Sequence, residues 1–87
     1  MDFVGIDLHR TSSQTCTLSE GGELTERRIK TTKAAFDEVF AGRPRASILV
    51  EASTESERVA GHLEALGHEV IVADPELRAH VRHPRPR

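Results

Sequence analysis

The chain contains no tryptophan and no tyrosine, and its aromatic residues are limited to Phe3, Phe36 and Phe40. Without large rings, the core must be filled mainly by Val, Ile, Leu and Ala. A chain of 87 residues buries only a little over ~60% of its unfolded surface. The expectation is one small domain with a thin core and marginal stability. A single cysteine, Cys16, excludes an internal disulfide, and no metal-ligand spacing assembles around it. Its expected role is that of a small buried residue. Long apolar runs are lacking too: the longest, such as Val70 to Ala73, fall far short of the roughly 20 residues that span a bilayer. No basic-then-apolar leader precedes Phe3. These absences point to a cytoplasmic protein with no membrane partner.

Charge is present in both signs, and the net −2 conceals an asymmetry. Residues 1–77 carry eight basic against fourteen acidic side chains, whereas residues 78–87 carry Arg78, Arg82, Arg85 and Arg87 and no acid. The chain therefore divides into a domain over 1–77 and a basic Pro/Arg tail over 78–87.

D-F-V-G-I-D-L alternates Phe3, Gly5 and Asp7 with Val4, Ile6 and Leu8, the two-residue period of a strand, and its apolar character on both faces predicts a central one. Q-T-C-T-L-S predicts a second strand, Gly21-Gly22 a hairpin turn, and E-L-T-E-R-R-I-K-T an antiparallel third. Thr31 and Thr32 cap a helix over about Lys33 to Ala41, with Phe36, Val39 and Phe40 on one face and Gly42 as its stop. S-I-L-V-E, residues 47–51, has the continuous apolar pattern of a buried parallel strand.

Thr54 and Glu57 form a T-x-x-E capping box for a second helix carrying Val59, Leu63 and Leu66 and ending at Gly67. H-E-V-I-V-A, residues 68–73, predicts a further buried strand. Asp74-Pro75 then reads as an N-cap with proline at the first helical position, opening a third helix that Pro84 and Pro86 would stop. The predicted order is β-β-β-α-β-α-β-α in a mixed α/β sheet, with right-handed crossovers.

Two acids stand out in that order. If the first strand lies beside the fourth and parallel to it, Asp7 and Glu51 finish at the same sheet edge, where sites in open α/β sheets gather. Two hard oxygen ligands side by side suit Mg²⁺, which activates nucleophiles and stabilises phosphoryl transition states. Strand-end acids also serve as ordinary turn or solvated residues, so spacing alone leaves both readings open.

The blocks V-G-I-D-L-H, T-S-S-Q-T-C-T-L, R-I-K-T-T and above all L-V-E-A-S-T-E-S-E followed by L-G-H-E-V-I-V-A-D-P resemble the N-terminal part of insertion-sequence transposases with a DEDD-type, RuvC-like domain, a family guided by a bridge RNA. The match covers about residues 3 to 77. The resemblance implies an RNase H-like fold, with Asp7 and Glu51 as the first two members of the acidic tetrad that binds Mg²⁺ and catalyses DNA strand cleavage and transfer. It also implies DNA and guide RNA as partners of the full-length enzymes. The family's K-T-D-x-x-D-A motif, which holds the other two aspartates, is missing here, as are its helical insertion and C-terminal domain. The chain therefore reads as an incomplete, truncated transposase domain, expected to be inactive alone.

Other polar residues have simpler expected roles. Asp74 caps a helix, and Glu55 and Glu57 complement a helix dipole. His9 is an exposed turn residue or a phosphate or metal contact beside the acids. His62 and His68 lack ligand spacing and are expected at the surface. The four tail arginines would contact nucleic-acid phosphates or remain solvated, and no aromatics accompany them for base stacking.

Two further functions compete. One is a non-catalytic module that binds RNA, another copy of itself or a full-length transposase. The other is an actin-like or sugar-kinase-type ATP-binding fragment, suggested by G-I-D-L before a hairpin, although His9-Arg10-Thr11 lacks the second glycine that lets backbone amides approach a phosphate.

Overall fold

The computed structural model describes residues 1–73 and the backbone of residues 79–81. Five strands and two helices follow the predicted order: β1 (Phe3–Leu8), β2 (Ser12–Leu18), β3 (Leu24–Lys30), α1 (Lys33–Phe40), β4 (Ser47–Glu51), α2 (Ser56–Ala65) and β5 (Glu69–Ala73), with a short β6 (Ala79–Val81) last. They form one mixed α/β sheet in the order β3-β2-β1-β4-β5-β6. β1 pairs antiparallel with β2 and parallel with β4, so it is central, as its doubly apolar pattern predicts.

Alternation along the strands assigns two faces. Val4, Ile6 and Leu8, Ile48 and Val50, and Val70 and Val72 are buried beneath Phe36, Val39 and Phe40 of α1 and Val59, Ala60 and Leu63 of α2. Both helices therefore cover the same side. Each belongs to a crossover that moves in the same direction along the sheet, from β3 to β4 and from β4 to β5, so a single handedness keeps both on one face. The other face holds Phe3, Gly5, Asp7, Cys16, Leu18, Leu49, Glu51 and Ile71. No described element covers it, and Phe3 is 59% and Leu49 47% exposed. Cys16, expected in the core, is half-buried on this open face because it pairs across from Gly5.

Local chemistry explains the turns. Gly22 adopts φ +86°, a left-handed conformation that costs other residues about 1–2 kcal/mol, and its N–H donates to Ser19 O at 2.9 Å to close the β2–β3 hairpin. Thr32 caps α1 as expected, accepting from Ala35 N at 3.1 Å. Its neighbour Thr31 is buried instead, with its hydroxyl 2.7 Å from both Ser13 Oγ and His9 O. These bonds hold the start of α1 against the β1–β2 turn.

Three expectations need correction. The Thr54–Glu57 capping box does not form: the N-cap of α2 is Glu55, whose side chain makes no capping bond, and Thr54 is exposed. A serine pair closes the turn in its place. Ser53 N donates to Ser56 Oγ at 3.1 Å, and that hydroxyl donates to Ser53 O at 2.8 Å, one residue earlier than the Thr54–Glu57 box would act.

The predicted third helix is contradicted at residues 79–81, which form a strand antiparallel to β5, with Val81 opposite Ile71. The outer edge of β5 offers unpaired backbone groups that a three-residue strand can satisfy, whereas the prolines at 84 and 86 leave a helix little length. Asp74, Pro75 and the four tail arginines lie outside the described residues. Finally, His68 is 5% exposed rather than superficial. Its Nδ1 accepts from Ala46 N at 3.0 Å, so the proton sits on Nε2, which donates to Phe40 O at 2.8 Å. His62 is likewise mostly covered and reaches Asp37 Oδ1 at 2.7 Å, tying α2 to α1.

Candidate functional site

Parallel pairing fixes where the two sequence-selected acids fall. Val4 aligns with Ile48 and Ile6 with Val50, so one step further along each strand brings Asp7 beside Glu51. Both belong to the alternation opposite the buried residues, so both side chains project from the open face. Adjacent strands lie about 4.8 Å apart, a spacing that two carboxylates can bridge with one cation. Both strands run toward this edge, and it is the carboxyl end of each, the position where ligands collect in open α/β sheets.

The setting is wet. The Asp7 side chain is 60% exposed, and Glu51 is exposed as well. His9 is exposed in the β1–β2 turn, as one of its two readings has it, and its Nε2 lies 3.2 Å from Asp7 Oδ2. Across the β1–β2 ladder Asp7 faces Gln14, and Gln14 faces Arg28 on β3. The row Arg28, Gln14, Asp7, Glu51 thus crosses four strands at one level of the open face. Sequence reasoning missed Gln14 and Arg28. Counting back through the hairpin from Gly21-Gly22 would have found them, because an antiparallel register is fixed by its turn.

Among the described residues, no group of three or more His, Cys, Asp and Glu side chains is placed to hold a metal ion. The donor set at the sheet edge is a pair of exposed carboxylates. Hard, charged oxygens match the preference of Mg²⁺, and that ion commonly binds through one or two carboxylates while retaining water. The chemistry of the donors therefore fits Mg²⁺ held loosely by Asp7 and Glu51, with His9 able to orient Asp7.

The remaining candidates are placed more simply. Glu55 pairs with Arg58 at 2.9 Å, one helical turn on. Ser53 and Ser56 bond each other across the turn before α2. The β1–β2 turn closes through His9 N and Ser12 O at 3.1 Å with no glycine in it. That leaves no glycine-rich phosphate cradle after Asp7. No described helix is long and apolar enough to cross a membrane. No protein-family model matches the chain, and no curated protein matches it.

Proposed function

We propose that this chain is the N-terminal part of an RNase H-like domain of a DEDD-type transposase, in which Asp7 and Glu51 are Mg²⁺ ligands of a DNA strand-cleavage and transfer centre. The observation that carries the reading is the placement of these two acids, 44 positions apart in sequence, at one level on neighbouring parallel strands and on one face. The strand order and the β-β-β-α-β-α-β succession support it, as does the resemblance of L-V-E-A-S-T-E-S-E and L-G-H-E-V-I-V-A-D-P to that family.

In this reading Asp7 and Glu51 hold the ion, and His9 keeps Asp7 turned toward the open face. When bound, Mg²⁺ would polarise a phosphodiester and generate a nucleophile. Two carboxylates alone hold it weakly, and the sequence contains no K-T-D-x-x-D-A motif to add the other two. In this reading, activity on DNA requires further carboxylates beside Asp7 and Glu51. Guide RNA and DNA are the partners the reading implies.

Magnesium titration followed by amide chemical shifts provides the test. Shifts should concentrate at Asp7, Leu8, Glu51 and Ala52 and disappear in both Asp7→Asn and Glu51→Gln. Uniform or absent shifts at millimolar metal would make the acids ordinary strand termini and remove the basis for the assignment.

A further inference from the structure

β3 is the outermost strand on its side of the sheet. All of its residues but Ile29 are exposed, and no described element lies alongside it. The parity of its hydrogen bonds follows from the two ends of the hairpin. Ser19 N donates to Glu23 O at 2.9 Å and Thr31 N to Thr11 O at 3.1 Å. Odd-numbered residues of β3 therefore bond to β2, and the N–H and C=O groups of Leu24, Glu26 and Arg28 point outward. Lys30 adds an outward N–H, its carbonyl being taken by Thr32 N at 2.9 Å. These even-numbered residues also carry their side chains on the open face. Among the described residues, no hydrogen bond or ion pair engages the side chain of Glu26 or Arg28.

We propose that β3 pairs with β3 of a second copy of this chain, antiparallel about a two-fold axis at Arg27, joining both sheets into one. That register sets Glu26 opposite Arg28 of the other copy twice, and Leu24 opposite Lys30 twice. All four pairs connect residues whose backbone groups face outward, giving about six new backbone hydrogen bonds. Charged side chains on an edge normally deter pairing. Here their alternation selects one register: centring on Glu26 would oppose two acids, and centring on Arg28 would oppose two arginines in a hydrogen-bonded pair. The cost in the chosen register is Arg27 facing Arg27, on the side where the helices lie. A seven-residue edge buries less than the ~1,000 Å² expected of a lasting interface, so the pairing is a reversible, concentration-dependent one.

Sedimentation equilibrium over micromolar to millimolar protein tests it. Arg28→Glu alone and Glu26→Arg alone should each weaken self-association at least about tenfold by creating two like-charge pairs. The double variant Glu26→Arg/Arg28→Glu should restore it, and Arg27→Thr should strengthen it. Circular dichroism spectra should be unchanged throughout, since the substituted side chains are exposed. A chain that stays monomeric at millimolar concentration would overturn the proposal. So would association indifferent to the single reversals, or a double variant that fails to recover; either result would place the interface elsewhere, with the apolar open face the first alternative.

Discussion

At the scale of the residue, His68 shows how a polar side chain inside an apolar run can be structural. It ends the loop before β5, and its two ring nitrogens satisfy the backbone of Ala46 and Phe40, two groups that would otherwise be buried without partners. Phe40 also meets the imidazole edge to face, with ring centroids 5.8 Å apart. Replacing His68 by Phe keeps an aromatic ring, slightly larger, and loses both bonds, so His68→Phe should lower stability by about 2–4 kcal/mol in urea unfolding. Composition and spacing gave no hint of this, because the partners are backbone atoms more than twenty residues away. Asp7 behaves oppositely. It is exposed and adjoins a like charge, so Asp7→Asn should leave stability unchanged or raise it by about 0.3 kcal/mol, while abolishing any magnesium response at Glu51.

Elements were legible where one periodicity and one stop signal agreed. The alternation in residues 3–8 and the apolar run 47–50 gave β1 and β4. Gly22, Gly42 and Gly67, all at positive φ, ended β2, α1 and α2 where glycine was expected to. What misled was capping chemistry read from residue type alone. Thr54 has the right spacing from Glu57, but Ser53 and Ser56 compete for the same backbone and win. Ser56→Ala should therefore cost about 1–2 kcal/mol, because it removes an acceptor for Ser53 N and a donor to Ser53 O. Thr54→Ala should change the unfolding midpoint by less than the equivalent of about 0.5 kcal/mol. The reverse result would restore the threonine cap. Residues 79–81 failed for a different reason: whether A-H-V becomes helix or strand depends on an open edge of β5, which is a tertiary fact.

The whole molecule is a two-layer structure, with helices on one side of the sheet and none of the described elements on the other. A single apolar layer joins Phe36, Ile48, Leu63 and Val50, all nearly inaccessible, and Ile48→Ala should cost about 2–5 kcal/mol in thermal or urea unfolding. The uncovered side carries Phe3, Leu18, Leu24 and Leu49, each at least 43% exposed. A patch of this kind binds apolar probes. The paired substitution Phe3→Lys with Leu49→Lys should reduce fluorescence of a bound anilinonaphthalene dye several-fold while shifting stability by less than about 1 kcal/mol. The alternation that gave each strand also predicted which residues would share this side. It could not show that the side would lack a cover, since that depends on where both helices dock.

The placement of Asp7 beside Glu51 has a thermodynamic corollary. In the unfolded chain these carboxylates are separated by several dozen flexible residues and offer a cation no shared seat. Whatever ion they hold together is therefore a ligand of the native state alone. Each tenfold rise in its free concentration beyond the dissociation constant would add about 1.4 kcal/mol to the free energy of unfolding. Ordinary melting curves taken across a magnesium series would then report occupancy of the pair without any substrate present.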